Sequence, residues 1–287
     1  MTDLLKNWLL GDDNPSVKFR TQTEILNQPG DKAAAASWVF DSLPEGWHEQ
    51  RGLWYRYYIA ALAECVLNND DIPMAKLDRA FAGLDSSFEW GCGDFMLQTS
   101  LVKLFLSEHE IIVKIIDSLK EHSLPDGGFL CLHRLNKLKY TPKSCYKANL
   151  HALLFLAECK KSSVDISPLT PLVDYFLNRG IFYRSDDRAS LVLNSREGWR
   201  TIDIFYPFEV MRVGLQNVLE ALCALGYGDD DRLSQAWTLL DGCKDADGRV
   251  MLGGTLTKSY LPKERVGRSS KWATFYVMLA EKHRSRI

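Results

Sequence analysis

The sequence predicts an all-α fold in which helices pair into hairpins, and three observations carry that prediction. Stretches that are apolar on nearly every side alternate along the chain with stretches apolar on one side only, which is the pattern of helices buried between neighbours alternating with helices that face water. A turn phrase recurs at the ends of these stretches, as Pro125-Asp126-Gly127-Gly128-Phe129 and again as Asp245-Ala246-Asp247-Gly248-Arg249. Asp-Gly and Gly-Gly supply the positive backbone dihedrals that end a helix or make a tight turn. Strand signals are few, with Ser190 to Asn194 a short extended candidate. A repeated helix–turn–helix unit must bury its apolar face against the next unit, so the repeat implies a ring or solenoid of helix pairs.

Each element follows from local chemistry. Asn14-Pro15 opens the first clear helix, with Asn14 as N-cap and Pro15 at the first helical position. Pro29-Gly30-Asp31 stops it, Ala33 to Leu43 forms its partner, and Pro44-Glu45-Gly46 is the next break. Trp54 to Leu67 is apolar nearly all round and reads as an inner helix, followed by an amphipathic outer helix over Ile72 to Leu84. The alternation continues as Asp94 to Leu106 (inner), Glu108 to Glu121 (outer), Lys147 to Cys159 (inner) and Pro168 to Asn178 (outer). Pro207 to Leu225 (inner), Asp230 to Cys243 (outer) and Ser269 to His283 (inner) complete it. Residues 1–50 are expected to form an N-terminal helical extension and residues 51–287 one continuous domain, because long unstructured linkers are absent.

Composition narrows the function classes. A hydrophobic fraction of 46% with 25% charged residues is that of an ordinary globular chain. The formal net charge of −2 and scattered Lys and Arg give no electrostatic reason to expect nucleic acid. No window approaches the ~18 apolar residues of a membrane-spanning helix, so no integral membrane segment is expected. Seven cysteines spread through apparent helices, with no signal-peptide pattern at the start, point to a reducing cytoplasm.

The Asp126-Gly127-Gly128-Phe129 and Asp247-Gly248-Arg249 turns, together with the inner/outer alternation, resemble the α/α toroid of terpenoid cyclases and protein prenyltransferase β-subunits. Lys143-Ser144-Cys145-Tyr146 and Ser269-Ser270-Lys271-Trp272-Ala273-Thr274 resemble segments of small bacterial squalene-cyclase-like proteins. The resemblance covers the chain from about Trp54 onward. It implies a single α/α toroid of about five to six hairpins and a central cavity that binds an apolar ligand, with an isoprenoid as the candidate. The chain departs from the family at its chemistry. His122-Ser123-Leu124 stands where the family's turn is usually preceded by Gln, and the Asp-x-Asp-Asp acid motif and the Asp-Asp-x-x-Asp magnesium motif are missing. Cys92-Gly93-Asp94 holds the residue types of the prenyltransferase zinc pair in the wrong order.

Several residues are candidates for chemistry, and each has a plainer alternative. Asp94 leads into an inner helix and is a candidate acid, or the cap of its own helix. Asp203 is the second candidate acid; with Tyr206, Glu209 and Arg212 it forms a head-group site, or again a cap with a neighbouring ion pair. Trp54, Tyr58, Tyr206 and Trp272 are candidate walls of the cavity, since aromatic faces stabilise cations and also build cores. Cys131, His133 and Cys145, with Cys92 and His151 as additions, are a weak zinc set that fits no tight knuckle, so no metal site is assigned. The basic loop Thr257 to Lys271 would attract anions at a cavity mouth, and the loop Tyr183 to Trp199 is long enough to act as a lid. No cofactor and no oligomeric state follow from the sequence. Two further readings stand beside the isoprenoid one. The first is a non-catalytic toroid scaffold or binding module. The second is a glycan-active enzyme with paired carboxylates, for which Asp94 and Asp203 are the nominated pair.

Overall fold

The computed structural model describes residues 1–65, 71–80, 91–104, 106–108, 110–129, 144–192, 203–204, 212–254 and 264–285. Among them the regular structure is helical, with isolated bridges such as Tyr183 to Leu191 in place of strands. The chain is all-α, as the periodicity predicts. It divides into two compact units, one formed by Gly46–Asn178 and the other by Met1–Glu45 with Arg179–Ile287.

The unit of residues 46–178 holds α4 (Leu53–Glu64), α5 (Cys92–Lys103), α6 (Glu110–His122), α7 (Tyr146–Lys161) and α8 (Pro171–Leu177). Helix α5 packs against both α4 and α7. It is buried from Cys92 through Val102 except at Met96, which explains why its sequence shows no amphipathic stripe. Phe95 meets Phe129 and Phe155 at ring separations of 6.5 and 6.3 Å, tying the three segments into one aromatic core. Helix α6 is the opposite type. It buries Ile111, Ile112, Ile115, Ile116 and Leu119 and pairs Glu110 with Lys114 and Asp117 with Lys120 on its wet side. Each of those five side chains contributes about 1.5–3 kcal/mol of transfer free energy before ordering entropy is subtracted.

The other unit holds α1 (Asp3–Leu9), α2 (Pro15–Arg20), α3 (Lys32–Ser42), α9 (Leu215–Ala224), α10 (Ser234–Asp241) and α11 (Lys271–Arg284). Asn14 accepts from the Val17 amide at 3.0 Å with Pro15 behind it, as the sequence indicates. Helix α2 runs on into a π-helical turn, Thr21–Ile25. Helix α1 is a short element that the sequence reading passes over; Thr2 caps it through the Leu5 amide. These N-terminal helices dock on α11. Buried Arg20 donates to the Tyr276 hydroxyl at 3.1 Å, lies 4.5 Å over the Phe275 ring and pairs with Glu24. Buried Lys271 donates to the Gly11 carbonyl and pairs with Asp13.

The recurring turn is one device built twice. In the first copy the Leu124 amide donates to Gly128 O and the Gly127 amide to Leu124 O; in the second the Asp245 amide donates to Arg249 O and the Gly248 amide to Asp245 O. Gly127 and Gly248 take φ of +82° and +80°. Each turn then clamps the start of the following inner helix. The Cys145 amide donates to Phe129 O and the Ser270 amide to Val250 O. The return bond comes from the fourth residue of the helix: the Phe129 amide donates to Asn149 Oδ1 and the Val250 amide to Thr274 Oγ1. The first copy also presses on α8, because a Cβ at Gly127 would lie 2.2 Å from the Pro171 carbonyl oxygen.

That contact makes a test. Gly226 also has a left-handed φ (+95°) but open space around it. Gly226→Ala should cost about 1–2 kcal/mol from the backbone conformation alone. Gly127→Ala adds a backbone collision and should cost about 3 kcal/mol or more. Urea denaturation of the two variants compares them, and equal losses would show that the turn is not pinned against α8.

Candidate functional site

The inner-helix ends of the 46–178 unit carry two polar arrangements on different sides of the helices. The first is a hollow of about 160 Å³ lined by Gln50, Gly52, Tyr55, Arg56, Arg79 and Leu97. Tyr55 and Arg56 come from the first turn of α4 and Leu97 from the second turn of α5. The Tyr55 ring stacks on Trp47 at 6.4 Å and carries the Arg79 guanidinium 5.6 Å above it. Its hydroxyl donates to the Lys76 carbonyl, and burial pushes its pKa up to about 12, so it is a phenol and not a phenolate. Arg79 is anchored by donating to the Glu49 carbonyl at 2.9 Å. Arg56 is anchored by Asp94, Nη1 to Oδ1 at 2.5 Å, and Asp94 is itself fixed because its Oδ2 accepts from the Gly91 amide. Two guanidiniums therefore reach one small concavity, and its lining holds no carboxylate among the described residues.

The second arrangement is a stripe shared by α4, α5 and α7. Lys103, the last residue of α5, pairs with Glu64, the last of α4, and lies 3.9 Å from Glu158 near the end of α7. These contacts fix which helix faces meet. Residues seven and eleven positions earlier fall on the same face, within about 20° for an α-helix. On α5 they are Met96 and Cys92, and on α7 they are His151 and Lys147. Cys92 lies within electrostatic reach of Cys145, Lys147 and Asp94. Burial first, then Cys145, pushes the Cys92 thiol up to about 11, so neither a thiolate nucleophile nor a ready metal ligand stands there. His151 is 5% exposed, and its Nε2 has no hydrogen-bond partner among the described residues.

The sequence-derived candidates scatter over this framework. Asp94 caps α5 and holds Arg56. Asp203 is half-buried near Cys243 in the other unit, so each nominated acid is placed within its own unit. Trp54 is 42% exposed, whereas Tyr58 and Trp272 are buried in the cores of separate units. Arg212 is half-buried just before α9. Tyr206, Cys131 and His133 lie outside the described residues, and no group of three His, Cys, Asp or Glu side chains able to hold a metal occurs among those described. The reading overlooked Arg56 and Arg79, which stand in an apolar helix and a surface segment with no motif around them. In the sequence Lys147 reads only as the start of an inner helix.

No family model matches the chain, and no curated protein matches it. Among solved structures it is similar to a polysaccharide lyase. The TM-score is 0.51 at 13% identity, over 96% of this chain and 90% of that one. At that identity the likeness is one of fold, and the terpenoid-cyclase resemblance rests on the turn motif and helix alternation alone.

A pH prediction follows from His151. Burial first and Lys147 second hold its pKa at about 4, below the 6.5 of the exposed side chain. Between these values the unfolded chain binds the proton and the folded chain does not. Stability from this group is therefore complete above pH 6.5 and lost as pH falls toward 4, by about 3 kcal/mol in all. Urea unfolding at pH 7 and pH 4.5 should show the drop, and a His151→Leu variant should lose less over the same interval.

Proposed function

We propose that this chain is a glycan-active protein that takes an acidic polysaccharide and seats a sugar carboxylate on Arg56 and Arg79. The observation that carries the reading is the pair of guanidiniums at one hollow whose lining, among the described residues, holds no carboxylate. The fold likeness to a polysaccharide lyase over nearly the full length of both chains supports it. A guanidinium offers planar paired donors that match a carboxylate, and these two are already oriented by Asp94 and the Glu49 carbonyl. At about 160 Å³ the hollow suits one sugar ring or its acid group, with the rest of a chain running outward.

Cations at a uronate carboxylate favour elimination over hydrolysis. They draw charge from the carboxylate and so stabilise the carbanion left when a base removes the adjacent carbon-bound proton. The electron pair then forms the carbon–carbon double bond as the glycosidic carbon–oxygen bond breaks, and the departing oxygen takes up a proton. Hydrolysis by paired carboxylates needs two acids facing each other, and no such pair lines the hollow among the described residues. The isoprenoid reading draws less support from the walls assigned to it, since Trp54 is exposed.

Polygalacturonate, alginate and hyaluronan, with dextran as the neutral control, test the proposal. Binding to at least one acidic polymer and none to dextran is expected, with ultraviolet absorbance rising if an unsaturated uronate forms. Arg56→Met and Arg79→Met should each weaken binding about 10- to 100-fold, the worth of one charge-assisted hydrogen bond. Equal binding of dextran, or indifference to both substitutions, would overturn it.

A further inference from the structure

The two arginines share their hollow with a neutral polar side chain. Gln50 belongs to the same lining and is exposed. Its carboxamide makes no hydrogen bond with any described residue. Such a group carries one acceptor oxygen and two N–H donors and no charge. The backbone beneath it is nonetheless fixed. Gln50 closes the short turn Trp47–Glu49, and its amide donates to the Trp47 carbonyl. Trp47 is buried and stacks on Tyr55, while the carbonyls of His48 and Glu49 accept from Arg79 at 3.3 and 2.9 Å. The guanidinium that reaches the hollow from position 79 is thus the one that fastens the turn bearing Gln50. Arg56 is anchored from α5 instead, by Asp94. Between these groups the space is open. A Cβ at Gly52 would meet no described atom within 4 Å, and Leu97 adds an apolar surface. An apolar wall beside a few fixed polar groups suits a ring with a C–H face and hydroxyls better than a bare anion.

We infer that Gln50 is the residue by which the hollow tells a sugar acid from other carboxylates, with the acid group on Arg56 and Arg79 and a hydroxyl of the same ring on the Gln50 carboxamide. The inference rests on the acidic-polysaccharide reading above and adds the residue that sets specificity. It also separates the two arginines. Arg56 supplies charge, whereas Arg79 supplies charge and holds the turn that carries Gln50. Gln50 is exposed, so water satisfies it when a ligand lacks the hydroxyl, and the discrimination is worth one neutral hydrogen bond.

The test compares two polymers at equal carboxylate concentration and fixed salt. One is whichever of polygalacturonate, alginate and hyaluronan binds tightest; the other is polyacrylate, which repeats the carboxylate without hydroxyls. The wild-type chain should prefer the sugar polymer. Gln50→Leu should cut that preference about 3- to 10-fold by weakening the sugar polymer. Gln50→Glu keeps the shape but adds a negative charge, and should weaken both polymers. Arg56→Met should weaken both and keep the preference, whereas Arg79→Met should weaken both and lose it. The two Gln50 variants should keep the wild-type Tm, since the side chain is exposed. The inference alone is overturned if the arginine variants weaken the sugar polymer but the wild type shows no preference, Gln50→Leu leaves the preference intact, or Gln50→Glu binds polyacrylate as before. If no acidic polymer binds, or the arginine variants bind as the wild type does, the acidic-polysaccharide reading is overturned and this inference with it.

Discussion

The fold depends on the clamp between an Asp-Gly turn and the first turn of the inner helix after it. A helix N-terminus exposes amides with no partner inside the helix. An outer helix must also end, reverse and hand the chain on. The turn meets both needs by trading bonds with the helix. At Phe129 and Val250 the turn residue's carbonyl accepts from the residue just before the helix, while its amide donates into the side chain of Asn149 or Thr274. The two copies use different side chains for the same bond, so the constraint acts on hydrogen-bond geometry and tolerates a change of residue. Asn149 does more, because its amide group also donates to the Phe129 and Cys145 carbonyls. Its burial is thereby matched on every side that the structure records.

With the helix starts fixed by these clamps, the helix ends are fixed by charge. Lys103 lies between Glu64 and Glu158 at the C-terminal ends of three helices, where its positive charge also suits the helix dipoles. All three side chains are mostly enclosed, so deleting one partner would strand a charge in a poorly solvated place. The other unit uses the same logic with different residues. Buried Arg20 and Lys271 draw the N-terminal helices onto α11 through the Tyr276 hydroxyl, the Phe275 and Tyr276 ring faces, the Gly11 carbonyl and Asp13. Segments that read as a separate extension in sequence are thus tied to the last helix of the chain.

The helices and their inner or outer character were legible because burial leaves a periodic trace. The boundaries drifted where capping overrode the apolar pattern. The outer helix expected to begin at Asp230 starts with a 3₁₀ turn, Asp231–Leu233, capped by Asp230, and the one expected over Pro168–Asn178 begins with a 3₁₀ turn at Ser167–Leu169. The site was far less legible. Arg56 sits inside an apolar helix, and its meaning comes only from Asp94 on a neighbouring helix, a pairing across 38 positions that no local pattern encodes. Of the basic loop before α11, residues 257–263 lie outside the described residues. Its single acid, Glu264, accepts from the amides of Lys271 and Trp272, and burial pushes its carboxyl pKa up. The anion position at that helix start is filled by the chain's own side chain, which local charge counting could not reveal.

The inner helices of the 46–178 unit are consequently polar along their length in a functional sense. At their C-terminal ends a cation is shared between two carboxylates, so its charge is consumed by the fold. At their N-terminal ends the arrangement differs. Asp94 pairs with the Arg56 guanidinium, and Arg79 donates to the His48 and Glu49 carbonyls, which bear no charge. The two guanidiniums are thus held in fixed positions next to helix starts whose dipoles have the same sign. Orienting these groups is a cost already met in folding, which is what allows a weakly held anion to bind without first ordering the side chains that receive it. The contrast between the two ends lies in what answers each cation, two carboxylates for Lys103 at one end and backbone carbonyls for Arg79 at the other.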